Sequence, residues 1–312
     1  MSFLFNFASD EDASERGTDS FNPNIGLGEG NSDGETIHKK TDTTFSEAKE
    51  VTDFCDDELI SKFELLGVEF GQNCLKIVDT SKLGDLILKD EKFKSFANSE
   101  NLVAALSASS DLVAGVYEGG LKMWECGDDL THFLISHPVG QAIELKGKSI
   151  LELGCGAGLP GVYCCTRGAQ AVHFQDFNEE VLQLVTHTNA TLNIIETEEV
   201  NCRYFSGDWS SLSQLLQQEK QIYDVILTAE TIYSSENYPS LHDVFSTSLS
   251  SNGIIVVAAK VYYFGVGGGT DGFIEYVESR KRFTAEIVHT IKTGVPRKII
   301  ILRRQESDPL YR

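Results

Sequence analysis

Leu151-Glu-Leu-Gly-Cys-Gly-Ala-Gly158 is the stretch that decides the fold. The apolar run 149–153 has the length of a buried strand, and a helical pattern continues from the glycines to Gly168. Glycine allows positive φ angles and lets a ligand approach the backbone closely. A strand, a glycine-rich turn and a helix in succession indicate a ligand site at the carboxyl end of a parallel strand.

The pattern after this stretch alternates between strands and helices. Between the predicted strands lie helical patterns, and such alternation predicts βαβ units and a parallel sheet. The last two strands are joined by a turn that contains Gly294 and Pro296, so they form an antiparallel hairpin. We predict an α/β fold: a doubly wound, mostly parallel seven-stranded sheet with a C-terminal antiparallel hairpin strand and an N-terminal extension. Besides 149–153, the predicted strands cover residues 171–175, 200–205, 223–227, 253–260, 284–291 and 298–302.

Composition excludes several function classes. The chain has 312 residues and a formal charge of 26 − 47 = −21. This acidic balance argues against direct nucleic-acid binding, which needs a basic surface, and it favours basic partners. The sequence has no apolar run long enough to span a membrane, and its start lacks the pattern of a signal peptide. We therefore expect no membrane association.

The chain divides into four predicted regions. Residues 1–58 form an acidic, largely disordered tail, because residues 1–60 carry 15 acids and 4 bases. Residues 59–110 form an N-terminal extension, in which 59–67 has helical spacing before a glycine. Residues 111–145 hold a lid and a helix, and residues 146–312 form the core. Seven cysteines without a Cys-x-x-Cys pair predict free thiols in a reducing compartment. No histidine spacing indicates a metal site.

Two cofactors compete for the glycine loop. The dinucleotide fingerprint Gly-x-Gly-x-x-Gly fits Gly156, Gly158 and Gly161, and would make the chain an NAD-dependent oxidoreductase. The alternative pattern Glu-x-Gly-x-Gly-x-Gly begins at Glu152, includes Gly154, and fits the junction of strand and turn better. That second pattern is the methyltransferase version. The loop alone does not decide between them.

Asp176 lies at the end of the second predicted strand, where an acid can bind both hydroxyls of a ribose. Its alternative role is that of a helix cap, although Asn178 can serve as the cap before Glu179. Gly207-Asp208-Trp209 follows the third strand. There an acid can accept from an adenine amine and an indole can cover the base, while the alternative is a core tryptophan with Asp208 as a cap.

The fourth predicted strand ends at Thr228-Ala-Glu-Thr-Ile-Tyr233. Glu230 and Tyr233 are three residues apart and can share one face of a turn. They are candidates for orienting a nucleophile, and the alternative is an ordinary turn between a strand and a helix. Asp111 or Glu118, upstream in the sequence, could take the same orienting role.

On these residues the chain resembles the seven-β-strand (class I, Rossmann-like) methyltransferases that use S-adenosylmethionine. Within them it is similar to protein methyltransferases with Asp/Glu-x-x-Tyr/Phe after the fourth strand, here Glu230-Thr-Ile-Tyr233. More narrowly, it resembles the protein-histidine methyltransferases of the methyltransferase-like 18 type. That likeness depends on Gly115-Val-Tyr-Glu-Gly-Gly-Leu-Lys-Met-Trp-Glu-Cys126, on Tyr263-Phe-Gly-Val-Gly-Gly-Gly269 and on the opening Phe-x-Phe-Asn-Phe of residues 3–7.

The resemblance implies a role for each matching residue. Glu230 would face the reacting centre. Our own hypothesis for the catalytic pair is that Glu230 fixes the acceptor imidazole and that Tyr233 forms a packing wall. The cofactor, S-adenosylmethionine, would contact a lid, the glycine loop, the ribose acid, the adenine pocket and the reacting centre. These contacts would come, in that order, from Lys122, Met123, Trp124, Glu125 and Cys126; Glu152, Gly154 and Gly156; Asp176 with Asn178; Gly207, Asp208 and Trp209; and Thr228.

The resemblance further implies a substrate and a location. The substrate would be a basic large-subunit ribosomal protein, methylated once on the tele nitrogen of a histidine. We expect a monomer in the cytoplasm and nucleus, including the nucleolus. Two rival hypotheses stay open: a protein-lysine methyltransferase of the same group, and a non-catalytic acidic binding partner or chaperone of a ribosomal protein.

Overall fold

The computed structural model describes residues 46–96, 117–194 and 199–306. The predicted tail over residues 1–45, the alternating phenylalanines within it, and Asp111 lie outside this part of the chain. Among the described residues, no helix is both long enough and apolar enough to cross a membrane.

In the described residues, eight strands form one mixed sheet and two more form a separate hairpin. The sheet order is β1-β6-β5-β4-β7-β8-β10-β9, and β2 pairs with β3. Strands β6, β5, β4, β7 and β8 are parallel, and β8, β10 and β9 are antiparallel. The strands are β1 (Lys49–Val51), β2 (Leu65–Phe70), β3 (Asn73–Val78), β4 (Ser149–Leu153), β5 (Ala171–Asp176), β6 (Asn201–Ser206), β7 (Tyr223–Ala229), β8 (Leu249–Lys260), β9 (Phe283–Ile291) and β10 (Arg297–Arg304).

Helices cover both faces of the parallel strands. The carboxyl-terminal halves of these strands are mostly buried because neither face meets water there, as Ile255 and Val256 of β8 show by being completely buried. The helices are α1 (Asp57–Ile60), α2 (Thr80–Lys89), α3 (Glu91–Phe96), α4 (Glu125–Ser136), α5 (Pro138–Gln141), α6 (Leu159–Thr166), α7 (Glu179–Val181), α8 (His187–Asn193), α9 (Trp209–Gln218), α10 (Tyr238–Ser248) and α11 (Thr270–Ser279).

This architecture confirms the predicted fold class. From β4 the chain moves outward through β5 and β6 on one side, and through β7 and β8 on the other. The reversal makes the carboxyl ends of β4 and β7 the topological switch point, where open α/β sheets bind ligands. The predicted hairpin at the end of the chain is β9 and β10.

The amino-terminal region differs from its prediction. Residues 46–58 are not a disordered tail: β1 adds an eighth, antiparallel strand next to β6, and Glu50 there pairs with Arg203. A Cβ on Gly207 would lie 2.7 Å from the carbonyl oxygen of Glu47, so only glycine allows this close approach. The helix predicted over 59–67 is also wrong, because α1 ends at Ile60 and β2 starts at Leu65.

Candidate functional site

A cavity of about 610 Å³ opens at the switch point. This volume lies in the range of pockets that hold a ligand of cofactor size. Residues from the glycine loop, from the segment before α4 and from the carboxyl ends of β5, β6 and β7 meet around it. Twelve of the predicted site residues line the cavity: Lys122, Met123, Trp124, Glu152, Gly154, Gly156, Asp176, Gly207, Asp208, Trp209, Glu230 and Tyr233.

The four other predicted residues lie behind this lining. Cys126 is completely buried, and Glu125 is 3.7 Å from Arg297 at the base of α4. The side-chain oxygen of Asn178 accepts from the backbone N–H of Glu118 at 3.0 Å, rather than capping the following helix. Thr228 donates to the carbonyl oxygen of Leu153 at 3.0 Å, which ties β7 to β4. These residues support the wall and do not face the cavity.

The glycine loop is held in place from below. Gly156 has a φ of 50°, a left-handed conformation that favours glycine. The five residues Leu182–Thr186 form a π-helical turn, a feature that is frequent at functional sites. From it the hydroxyl of Thr186 donates to the carbonyl oxygen of Gly156 at 2.6 Å. A Cβ on Gly156 would lie 3.1 Å from the carbonyl oxygen of Gly120, so the lid segment and the loop approach closely.

Asp176 faces the cavity from the end of β5. The backbone N–H groups of Gly156 and Asn178 donate to its two carboxyl oxygens at 2.9 and 3.1 Å. Its side chain is 4% exposed, and burial raises its pKa to about 6 despite these hydrogen bonds. The carboxyl group is therefore held in one orientation at the carboxyl end of β5.

Asp208 and Trp209 follow β6 on the same side. Asp208 accepts from the backbone N–H of Ser210 at 2.7 Å and so caps α9, which is the alternative role that the sequence left open. It also lines the cavity. The indole N–H of Trp209 donates to the side-chain oxygen of Gln175 at 2.8 Å, which fixes the ring beside the cavity.

Glu152 is a second buried acid of the glycine loop. Its carboxylate oxygen accepts from the backbone N–H of Gly161 at 2.8 Å, at the start of α6. Burial raises its pKa to about 8. Its main structural role is to connect β4 to α6 under the loop.

Glu230 occupies the opposite end of the cavity, after β7. It is a non-glycine residue with a φ of 59°, and its side chain is nearly buried. Backbone strain of this kind costs about 1–3 kcal/mol and is concentrated at functional sites. Tyr263 donates to one carboxylate oxygen at 2.6 Å, and the ammonium of Lys260 is 3.3 Å from the other. The carboxylate is thus held in one orientation.

Tyr263 and Lys260 were not among the predicted site residues. In the sequence, Lys260 ends a predicted strand and Tyr263 follows shortly after it. Only the fold shows that both side chains contact Glu230. Burial, and then the neighbouring Glu230, raise the pKa of Tyr263 well above its usual value, so the phenol stays protonated and donates. Lys260 also lies 4.0 Å from Glu125, and Arg297 binds Asp129 at 2.5 Å, so a buried ionic network extends from the cavity into α4 and β10.

Tyr233 closes the cavity from the other side. Its hydroxyl donates to the carboxylate of Glu118, a residue of the segment before α4. Burial and this carboxylate raise the pKa of Tyr233 well above its usual value. Glu118, which the sequence offered as an alternative orienting acid, therefore lines the same cavity as Glu230.

The predicted lid is a turn before α4. The indole N–H of Trp124 donates to the carbonyl oxygen of Gly119 at 3.0 Å. The ammonium groups of Lys122 and Lys260 lie 4.6 and 5.3 Å from the ring centroid of Trp124, within range of cation–π attraction. The indole thus connects the lid to the Glu230 network.

The cavity lining contains many more acidic than basic side chains. Among the described residues, the lining has one basic side chain, Lys122, and six carboxylic acids: Glu118, Glu152, Asp176, Asp208, Glu230 and Glu236. Within the described ranges, no group of three histidine, cysteine, aspartate or glutamate side chains is arranged to hold a metal ion. One end of the cavity thus presents the glycine loop, the carboxyl group of Asp176 and the indole of Trp209, and the other end presents the fixed carboxylate of Glu230.

The amino-acid sequence of this chain is similar to those of known protein methyltransferases. A family model described as lysine methyltransferase matches residues 104–270. A histidine protein methyltransferase 1 homolog of Bos taurus is 38% identical over 239 residues, which are 69% of this chain and 63% of that protein. The homolog of Dictyostelium discoideum is 43% identical over 187 residues, or 60% and 57% of the two chains. A protein N-lysine methyltransferase of Danio rerio is 29% identical over 147 residues, or 47% and 62%. The chain thus spans less than two thirds of the length of these relatives.

Proposed function

We propose that this chain, which belongs to the lysine methyltransferase family, transfers one methyl group from S-adenosylmethionine to a histidine of a protein substrate. The observation that carries the proposal is the nearly buried, strained Glu230, held by Tyr263 and Lys260 in the cavity that Asp176 also faces. An adenosyl site and an acceptor site thus share one cavity.

S-adenosylmethionine is the cofactor, and it supplies a methyl group already activated by a sulfonium. Asp176 would bind the ribose hydroxyls, because its carboxylate is fixed by two backbone N–H donors. The glycine loop would bind the methionine part, and Trp209 would cover the adenine. Family membership also sets aside the NAD-dependent oxidoreductase that the glycine pattern alone had left open.

A histidine acceptor needs little help from a base. Its pKa of about 6.5 leaves most of the imidazole neutral at pH 7, whereas lysine, at about 10.4, must first lose a proton. What histidine needs is a choice of ring nitrogen, which an acceptor for the other nitrogen's N–H provides. Glu230 has a carboxylate in a fixed orientation and would accept this N–H, leaving the tele nitrogen to attack. Tyr233 would form a wall beside the ring.

Similarity to characterised relatives favours histidine over lysine. Identity is 38% and 43% to the two histidine protein methyltransferase 1 homologs, and 29% over a shorter stretch to the lysine enzyme. The Glu230 motif occurs in both kinds of enzyme, so it does not separate them. Protein-lysine methylation is therefore the second candidate function.

The proposed substrate is a basic large-subunit ribosomal protein. The net charge of −21 and the acidic cavity favour a basic protein, since complementary charge accelerates association. Such a substrate is made in the cytoplasm and assembled in the nucleolus, so we propose both compartments as locations. We also propose that the chain acts as a monomer, because the described residues of one chain line a cavity of cofactor size.

The test uses methyl-labelled S-adenosylmethionine and the separated proteins of large ribosomal subunits from cells that lack this enzyme. The expected result is one methyl group on one histidine, located by mass spectrometry, and little label with Glu230→Gln. Label on lysine would replace the histidine proposal with the second candidate. Cofactor binding without any transfer would favour the non-catalytic binding partner.

A further inference from the structure

The loop that follows β8 joins the reaction centre to the surface. Tyr263 points inward and donates to Glu230 at 2.6 Å. Its two neighbours point outward: Tyr262 is 51% exposed and Phe264 is 66% exposed, and their rings pack edge to face with centroids 4.9 Å apart. We call Tyr262 and Phe264 the aromatic pair.

The aromatic pair lies on a loop that also forms part of the cavity wall. Its loop continues to Val266, which lines the cavity. The backbone N–H of Gly268 donates to the carbonyl oxygen of Tyr233 at 2.8 Å, and Ser234 forms a β-bridge with Gly267. A Cβ on Gly268 would lie 2.2 Å from the carbonyl oxygen of Ile232, so the loop is pressed against the catalytic motif. The backbone of the loop that carries the two exposed rings is therefore held against the segment from Glu230 to Tyr233.

Exposed aromatic rings in contact with each other indicate a binding surface. Isolated exposed apolar residues are ordinary, but large aromatic side chains bury much area at little entropic cost and are enriched at protein interfaces. The acids that line the cavity limit the chemistry of the partner. In the part of the chain that the structure describes, six acids and one lysine line the cavity, and of the acids Glu152 is protonated near pH 7 because burial raises its pKa to about 8. The remaining acids still favour a basic segment as the one that enters the cavity while covering the rings. Aromatic faces also attract cations directly.

We propose that the aromatic pair docks a basic segment of the protein substrate next to the acceptor histidine, with an apolar side chain of that segment packed on the rings. The proposal rests on the proposed function and deepens it. The surface selects the sequence around the histidine, while the cavity selects the histidine itself. Substrate recognition thereby extends beyond the reacting residue, along the outer side of the loop whose inner side fixes Glu230.

The test is a binding cycle with defined peptides. The first probe is a short fluorescent peptide of lysine and leucine with one central histidine. In a second peptide serine replaces leucine, and in a third glutamate replaces lysine. The enzyme forms are the wild type, the double variant Tyr262→Ser with Phe264→Ser, the double variant with leucine at both positions, and Ile222→Ser. Ile222 is the matched control, because it is 50% exposed but directly precedes β7. It therefore lies at the amino ends of the parallel strands, whereas the cavity lies at their carboxyl ends.

The wild type and Ile222→Ser are expected to bind the leucine peptide about tenfold more tightly than the serine peptide. The serine double variant should lose this preference and bind both peptides like the serine peptide on the wild type. The leucine double variant should keep most of the preference. An equal loss for both peptides, an unchanged preference, or a wild type that binds neither basic peptide or prefers the glutamate peptide would overturn the proposal.

A kinetic measurement separates this proposal from the proposed function. In the serine double variant, the KM for the leucine peptide should rise about tenfold, while kcat and cofactor affinity stay within about twofold. If the peptide cycle holds and the histidine receives no methyl group, the docking surface stands and the proposed function fails. If the histidine is methylated and leucine brings no advantage, the function stands and the docking surface is overturned. A fall in kcat alone would mean that the pair only supports Tyr263.

Discussion

The two ends of the cavity are built differently. We call the glycine loop with Asp176, Asp208 and Trp209 the cofactor half, and Glu118, Glu230, Tyr233, Lys260 and Tyr263 the acceptor half. In the cofactor half, Asp176 and Asp208 are held by backbone N–H groups of their own or neighbouring loops. In the acceptor half, side chains distant in the sequence hold one another, such as Tyr233 with Glu118.

This difference predicts that one half determines the affinity for S-adenosylmethionine and the other half determines the rate of methyl transfer. Backbone donors are present whichever side chains surround them, so the orientation of Asp176 and Asp208 depends mainly on the path of the backbone. The acceptor half depends on a buried ionic pair between Glu230 and Lys260, in which the loss of one partner leaves the other charge uncompensated. We therefore expect changes in the cofactor half to alter affinity for S-adenosylmethionine, and changes in the acceptor half to alter the methyl-transfer rate. The following predictions test that division.

Asp176→Asn should have the largest effect. The carboxylate is expected to accept two charge-assisted hydrogen bonds from the ribose, each contributing about 1.5–3 kcal/mol, so affinity for S-adenosylmethionine should fall about a thousandfold. Isothermal titration calorimetry measures it. The matched control is Asp271→Asn, an exposed acid paired with Lys298 outside the cavity, which should bind normally. Nearly unchanged affinity in Asp176→Asn would remove the ribose role.

Glu230→Gln should leave affinity for the cofactor within about twofold and lower the single-turnover rate about a hundredfold. The amide keeps the shape, but it is a weaker acceptor for an imidazole N–H, and it leaves Lys260 without its nearest carboxylate. Rapid quench with methyl-labelled cofactor measures this rate. Glu236→Gln is the control, because Glu236 lines the same cavity and is exposed. Equal losses in both variants would point to the overall charge of the cavity rather than to Glu230.

How far the sequence predicts each half follows from the same difference. The glycine loop and Asp176 could be located because each follows a strand directly, and parallel strands bring their carboxyl ends together. Asn178 was predicted to lie close to the cofactor or to cap a helix, but it lies behind the cavity lining, where its side chain accepts from the backbone N–H of Glu118. That contact joins residues 60 positions apart, and no local pattern indicates it.

Long-range contacts also explain the errors. Tyr263 and Lys260 escaped prediction because the sequence shows only that one follows a strand and the other ends it. The available signal was the run of three aromatic residues, Tyr262-Tyr263-Phe264, just after a strand end. The structure shows that the middle residue is buried while its two neighbours are exposed. The helix predicted over 59–67 failed because Leu65 and Leu66 belong to a hairpin, where pairing with β3 overrides the local helical spacing.

Tyr263→Phe should lower the transfer rate about tenfold, less than Glu230→Gln does. The hydroxyl fixes one carboxylate oxygen of Glu230, and loss of a hydrogen bond to a charged group costs about 1.5 kcal/mol. Because Tyr263 acts through Glu230, the variant should lower kcat with little change in the KM for either substrate. When combined with Glu230→Gln it should cause little further loss. Additive losses in the double variant would mean that Tyr263 acts independently of Glu230.

The smallest effect should come from pH. Burial raises the pKa of Asp176 to about 6, and the ionised form is the one that accepts from ribose hydroxyls. Affinity for S-adenosylmethionine should therefore fall about fourfold when pH is lowered from about 7 to about 5.5. Glu152, with a pKa of about 8, stays protonated over this range, and His173, with a pKa of about 4, stays neutral. Calorimetry at several pH values measures the slope, and Asp176→Asn should flatten it.

The stability of the ligand-free protein should change in the opposite direction over the same range. A carboxyl group whose folded-state pKa is raised from 3.8 to about 6 binds its proton more tightly in the folded state. Its contribution to stability is therefore complete below about pH 4 and is lost as pH rises through about 6. Thermal melts at several pH values compare the wild type with Asp176→Asn, without and with S-adenosylmethionine. Without the cofactor, the stability of the wild type relative to the variant should fall as pH rises through about 6. With the cofactor, it should rise instead. If stability and affinity instead rise together with pH, the carboxyl group of Asp176 is already ionised in the ligand-free protein. Burial would then not raise its pKa, and cofactor binding would not have to remove a proton from it.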